Sequence, residues 1–215
     1  MKPIFSRSAD KILRALLVGA LVVLAIGISF ASWLFHPRQT EVGYTPVQPV
    51  AYSHKLHAGD LGMDCRYCHY TVESAAVAAP PPTEICMNCH TRVGATSASL
   101  APVRESYSKG TPIPWVKVHR LPDYVYFNHS AHVNAGVSCV SCHGRVDQMI
   151  EVKQAEPLNM AWCLDCHRNP APRIRPVEQV TNLGWQPDRD PAEIGSEIIR
   201  ARGISPPLDC SGCHR

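Results

Sequence analysis

Apolar and polar positions divide this chain into two unequal stretches. From Ala15 to Pro37 there is no Asp, Glu, Lys or Arg, and the run ALLVGALVVLAIGISFASWLF, Ala15 to Phe35, is apolar or small throughout. As a helix it is long enough to cross a hydrocarbon core of about 30 Å. Beyond it no such run recurs, and 19 prolines across the chain leave little room for long regular elements. One later helix is well marked. Asp190 suits an N-cap, Pro191 the first helical position and Glu193 the third residue of a capping box. Ile194 and Ile198 then share a face, and Gly203 supplies a stop. Asn169 to Pro176 holds three prolines and reads as extended. The connection Thr91 to Tyr124 contains TPIPWVKVHRLPDY, where Trp115, Val116 and Val118 suit a short extended piece and the prolines at 112, 114 and 122 forbid a long strand. The expected fold is mainly loops and short α-helices, with little sheet and one N-terminal transmembrane helix.

The flanks orient that helix. Lys2, Arg7, Lys11 and Arg14 precede it against one acid, Asp10. The positive-inside rule then keeps residues 1–14 in the cytoplasm as a tail, makes 15–37 the anchor and places 38–215 on the periplasmic side of the inner membrane. Trp33 and Phe35 fall near the outer interface, and His36 at the boundary. Ser29-Phe30-Ala31 offers a small-residue cleavage site, but it lies inside an apolar run longer than a signal-peptide core, so an uncleaved single-pass anchor is expected. Gly19, Ala20, Gly27, Ala31 and Ser32 would let a partner helix approach closely.

The chemistry lies in the polar stretch. MDCRYCHY, Met63 to Tyr70, sets two cysteines three apart with a histidine directly after the second. The pattern recurs five times: Cys65, Cys68, His69; Cys86, Cys89, His90; Cys139, Cys142, His143; Cys163, Cys166, His167; and Cys210, Cys213, His214. These triplets use all 10 cysteines. C-x-x-C-H is the attachment signature of c-type haem, with the thiols bonding the porphyrin vinyl groups and the histidine serving as proximal iron ligand. Structural zinc needs four ligands and gives no reason for a histidine after every second cysteine. A redox C-x-x-C belongs near a βαβ pattern, which is missing here. A disulfide framework would not require such regular pairs. Five covalently attached haem c groups are expected. With a cytoplasmic N-terminus and haem attached outside the cytoplasm, anchor and cofactor agree on the exported side.

Two passages read as copies. VAYSHKLHAGDLGMDCRYCH, Val50 to His69, and VYFNHSAHVNAGVSCVSCH, Val125 to His143, each run aromatic, one residue, His-x-x-His, a short gap and C-x-x-C-H. Each is followed by another triplet. The layout is two two-haem units, about 50–92 and 125–170, and a fifth haem at 210–214. The duplicated His54, His57, His129 and His132 are candidate distal iron ligands. On a helix, an i, i+3 pair presents both imidazoles on one face. Both cannot serve one haem, so the first should cap the haem of its own repeat and the second reach a neighbour. The fifth distal ligand is left open among His119, Met149 and Met160, and a His/Met haem would have the higher potential. The formal charge of +3 is used up by residues 1–14, and haem propionates make the exported part acidic, so nucleic acid is not an expected partner.

The His-x-x-His…C-x-x-C-H units resemble class III, cytochrome c3/c7-like, multihaem cytochromes. With the anchor, the five triplets and the passages PIPWVKVHRLPDYVYFNHSAH and NMAWCLDCHR, the chain is similar to the pentahaem cytochrome subunits of bacterial alternative complex III. That resemblance implies an electron-transfer subunit, not itself an enzyme, in a respiratory quinol:electron-acceptor oxidoreductase. Implied partners are an iron–sulfur subunit, polytopic quinol-side subunits and a monohaem cytochrome c, with electrons passing on to a periplasmic acceptor. It also implies one His/Met haem among bis-His ones. Two other functions compete: a stand-alone membrane-anchored quinol dehydrogenase, and a multihaem reductase of nitrite or a similar oxyanion. The reductase needs one open haem face, which cyanide or CO would detect.

Overall fold

A computed structural model describes residues 8–36 and 41–214. Lys2 and Arg7 of the expected tail, Pro37 at the end of the expected anchor, and Arg38 lie outside the described residues. The chain forms two units, Met1–Glu41 and Val42–Arg215.

The first unit is one helix, α1, Ala9–Leu34. Its 26 residues span about 39 Å at 1.5 Å per residue. It is long and apolar enough to cross a membrane. Its apolar side chains, from Ile12 to Leu34, are all exposed within the chain. The helix starts six residues before the apolar run, because Lys11 and Arg14 are good helix formers and Arg14 pairs with Asp10 one turn back at 3.5 Å.

The second unit has short helices and connecting loops, as its prolines require. Among the described residues its extended pairing is limited to two isolated bridges, Val125 with His214 and Val137 with Ile174. A π-helix spans Lys55–Asp60. The α-helices are α2, Cys65–Cys68; α3, Thr83–His90; α4, Ala101–Lys109; α5, His129–Ala135; α6, Val140–His143; α7, Met160–Arg168; and α8, Pro191–Arg202. Four of these, α2, α3, α6 and α7, and a final 3-10 turn at Cys210–Gly212 carry the C-x-x-C-H triplets.

α8 forms where its caps place it. The Asp190 side chain accepts from Ala192 N–H, and Gly203 ends the helix in the left-handed region at φ 63°. It packs on a 3-10 turn at Ala171–Arg173, and the contact explains Gly195: a β-carbon there would run into the Ala171 backbone carbonyl. That turn corrects the extended reading of 169–176. Proline fixes φ near −65°, which a 3-10 turn accepts as readily as an extended chain. The long connection also holds a helix that sequence reasoning passed over. α4 has Pro102 in its first turn, Gly110 at its C-cap with φ 63°, and a Glu105–Lys109 ion pair at 2.6 Å. It packs on α3 through a buried Thr83–Ser106 hydroxyl contact of 2.7 Å. Among the described residues the piece around Val116 pairs with no strand. The Gln48 side-chain amide stands in for one, donating to Val116 C=O at 2.8 Å and accepting its N–H at 3.0 Å.

The apolar core is small. Among the described residues eight apolar side chains are buried, five of them valines. Val72, Val133 and Val180 form its centre, with Cys139 packed against them. Ser138 is buried beside it and donates to Val180 C=O at 2.6 Å. The first triplet is tied to the same segment by Asp64, which accepts from Thr181 at 2.9 Å.

Candidate haem-attachment sites

Each triplet is one helical turn. His69, His143 and His214 donate their backbone N–H to the carbonyl of the first cysteine four residues back, at 2.9, 2.9 and 2.8 Å. The triplets at Cys86 and Cys163 lie wholly within α3 and α7. Positions i, i+3 and i+4 of such a turn share a face, so both thiols and the imidazole project to one side. Asp and Asn side chains start several of these turns. Asp64 accepts from Arg66 N–H, Asn159 from Trp162 N–H at 2.9 Å, and Asp209 from Gly212 N–H at 2.8 Å. The Arg66 guanidinium clamps Asp64 and also bonds Glu73, and holds the Asp64 carboxyl down at about 2.

None of the ten cysteines is paired in a disulfide. Their neighbours link the triplets in series. Burial raises the Cys68 thiol, and nearby Cys86 raises it further. Cys65 is raised first by a hydrogen bond shared with Cys139, then by burial. Burial pushes Cys142 up to about 12, with Cys166 and Cys163 adding to it. Burial also raises Cys163, beside which lies Cys213. Read as neighbours, the triplets run second, first, third, fourth, fifth.

The His-x-x-His pairs face the triplets. His57 and His90 have ring centroids 6.2 Å apart, His129 and His143 6.5 Å with planes 10° from parallel, and His132 and His167 6.2 Å. His54 is lowered to about 4 by burial, and His69 beside it lowers it further. Imidazole–metal bonds of about 2 Å, one on each side of an iron, put two ring centroids roughly 6 Å apart. Three pairs stand at that separation, too far apart for direct hydrogen bonds.

The outer ring nitrogens are held as iron ligation would need. Nδ1 of His69 lies 3.2 Å from Ala79 C=O, of His90 2.9 Å from Val93 C=O, and of His167 2.8 Å from Pro207 C=O. On the facing side, Nδ1 of His57, His129 and His132 lies 2.9, 3.0 and 2.8 Å from Ser53, Ala76 and Asn128 C=O. A carbonyl only accepts, so the rings of His57, His69, His90, His132 and His167 carry their proton on Nδ1 and leave the Nε2 lone pair for a metal; His129 Nδ1 meets both Ala76 C=O at 3.0 Å and Ala78 N–H at 3.4 Å, and the shorter contact favours the same tautomer. Burial lowers His69 and His132 and takes His143 down to about 3, so these rings are neutral and fit to ligate. His54 Nδ1 is buried with no hydrogen-bond partner, a cost of about 1–3 kcal/mol unless a ligand meets it. Among the described residues no three His, Cys, Asp or Glu side chains converge on one metal-sized point. That arrangement does not offer the three or four protein ligands that zinc takes. It suits a haem iron, for which the porphyrin supplies four nitrogens and the protein two ligands.

The three candidates for the fifth distal ligand fall in different places. His119 lies edge-on to His143, centroids 4.4 Å apart. The Met149 methyl comes within 3.6 Å of a β-carbon placed on Gly144, beside the third triplet. Met160 opens α7, three residues before Cys163, and is 63% exposed. The ring of Tyr124 lies 5.8 Å from His214.

Sequence reasoning singled out the histidines and missed the carbonyls that hold their Nδ1 atoms. Six of the carbonyls are backbone atoms, and a backbone acceptor leaves no trace in residue type. Tyr52 and Phe127 did leave one, as the aromatic two residues before each pair. Each meets its first histidine edge-on, at 4.8 and 4.7 Å, and its second more nearly face to face, at 4.5 and 4.6 Å.

Over 124 residues, 57% of the chain and 56% of the relative, the sequence is 35% identical to the multihaem cytochrome c subunit of menaquinone reductase from Nitratidesulfovibrio vulgaris. The chain thus spans little more than half the length of that curated relative. No family model matches it. The likeness and the five triplets point the same way, to the multihaem c-type cytochromes.

Proposed function

We propose that the chain is a membrane-anchored pentahaem cytochrome c, the electron-transfer subunit of a quinol-linked respiratory complex of the alternative complex III type. The observation that carries this reading is the set of three histidine pairs with centroids 6.2–6.5 Å apart, each pairing a triplet histidine with a member of a His-x-x-His. The similarity to a menaquinone reductase subunit supports the quinone link and the membership of a larger complex. Haem, when attached, supplies a one-electron ferrous/ferric couple, and the protein sets spacing, ligands and surroundings.

In this reading Cys65 and Cys68, Cys86 and Cys89, Cys139 and Cys142, Cys163 and Cys166, and Cys210 and Cys213 hold the five groups, with His69, His90, His143, His167 and His214 as proximal ligands. His54 serves the first site, His57 the second, His129 the third and His132 the fourth. The first histidine of each pair thus serves its own triplet and the second reaches the next. With His119 and Met149 both beside the third site, Met160 is the candidate for the fifth. The cysteine neighbours support an order of electron passage with the second and fifth sites at the ends. α1 anchors the subunit in the inner membrane, and the haem unit faces the periplasm. An iron–sulfur subunit, polytopic quinol-side subunits and a monohaem cytochrome c are the partners of this proposal.

Purification of the full chain in mild detergent tests it. The expected result is co-purifying membrane subunits and haem reduction by quinol only in their presence. Reduction of the lone subunit by quinol would favour a stand-alone dehydrogenase. CO binding to the reduced wild-type protein would favour a reductase with an open haem face.

A further inference from the structure

His143 differs from His69, His90 and His167 in the partner of its Nδ1. His69, His90 and His167 each face a backbone carbonyl. His143 Nδ1 instead lies 3.3 Å from Nε2 of His119, and the two rings meet at 84°. We propose that His119 is a positioning residue that orients His143 and tunes the potential of the third haem, and is not itself an iron ligand. The inference rests on the haem reading above.

The tautomers follow from the geometry. If His143 binds iron through Nε2, with His129 6.5 Å across the gap and the two ring planes 10° from parallel, its Nδ1 carries the proton and donates it. His119 then accepts on Nε2 and keeps its own proton on Nδ1. Bound in this way, the His119 Nε2 lone pair is directed at His143 and is not available to a metal. A centroid separation of 4.4 Å also leaves no room for an iron between the rings. An acceptor on the outer nitrogen makes a ligating imidazole more basic and fixes its plane. A more basic ligand favours ferric over ferrous iron, so His119 lowers the midpoint of this one haem. Its segment supports a fixed role: His119 stands three residues before Pro122, whose carbonyl accepts from Val125 N–H at 2.9 Å, and Val125 pairs with His214. His119 therefore sits on the connection joining the third site to the fifth.

The test is His119→Ala and His119→Gln in the full haem-loaded protein, after intact mass confirms five haems in the wild type. His119→Ala should keep five haems, keep all of them low-spin and bind no CO. A single midpoint should move upward in a spectroelectrochemical titration while the other four stay in place. His119→Gln, whose side-chain carbonyl accepts the same proton, should bring that midpoint part of the way back. A new high-spin haem with CO binding would make His119 an iron ligand and overturn the proposal. Five unchanged midpoints would overturn it too. A wild type without haem would overturn both this proposal and the function it rests on. If the variants do not accumulate, a density map of the haem-loaded wild type decides: His119 on His143 supports the assignment, and His119 on an iron defeats it.

Discussion

The two His-x-x-His passages have the same plan and different backbones. In Val125 to His143 the pair opens α5, an α-helix capped by Asn128, whose side chain accepts from Ser130 and Ala131 N–H. Gly136 ends it at φ 95°. In Val50 to His69 the same plan winds as a π-helix, with Leu61 N–H reaching Leu56 C=O five residues back at 3.0 Å, and the Ser53 hydroxyl accepting from Leu56 N–H in place of the Asn cap. Seven residues separate His57 from Cys65, and six separate His132 from Cys139. The first copy takes up its extra residue in the wider π turn. Yet the aromatic contacts agree to about 0.1 Å, and the second histidine of each pair bonds the carbonyl four residues back. What both copies preserve is the placement of two imidazoles, with the backbone winding adjusted around it. A purely structural repeat would preserve the helix.

The largest expected effect comes from the cofactor that both copies serve. Produced without haem attachment, the Val42–Arg215 unit should fail to fold. Eight buried apolar side chains among the described residues are too few to order it alone. Circular dichroism and proteolysis of the apoprotein measure this, and a compact protease-resistant apo domain would break the account.

Next come the imidazoles. His57→Ala and His132→Ala should each turn one low-spin haem high-spin and open it to CO, at the second and fourth sites respectively. The copies are equivalent if the two spectra match. If either variant leaves all haems low-spin, that histidine is no ligand.

The backbones should then respond differently. Gly59→Ala would press a β-carbon on Asp147 C=O, and Gly136→Ala on Arg175 C=O in a left-handed conformation. Both should destabilise, by about 1–3 kcal/mol. Gly136→Ala should cost more, since it adds backbone strain to the clash. Thermal unfolding ranks them, and the reverse order would mean the π turn is the less tolerant device.

The smallest effect is acid sensitivity at the first triplet. The Asp64 carboxyl sits at about 2 in the fold, held by Arg66, below the usual carboxylate value of about 4. Its contribution is present above about pH 4 and fades as pH falls toward 2. The pair is partly exposed, so solvent screening keeps the gain to about 1 kcal/mol or less. Asp64→Asn should remove that part of the acid limb, and unchanged acid unfolding would show that the clamp adds nothing.

The sequence made some of this plain because the chemistry fixes spacing. Triplets at i, i+3, i+4 need one helical turn, and the structure provides one at each. α8 was legible from Asp190, Pro191 and Gly203, because caps are chemical. The π turn was not, since one extra residue in a gap looks the same whether it enlarges a loop or a helix. α4 was hidden among prolines and serines that suit a helix end as well as a coil. The Ala171–Arg173 turn was hidden because proline admits both it and an extended chain. The order of the triplets and the partners of Nδ1 depend on contacts between residues up to 74 positions apart, such as Cys65 with Cys139, and composition carries no sign of them.

Intact mass of the purified full chain, paired with a pyridine haemochrome assay, tests the central claim most directly. The account predicts a mass increased by five haem groups and a haemochrome spectrum of the two-thioether type. An unmodified polypeptide mass, with ten titratable thiols and no haemochrome, would contradict it.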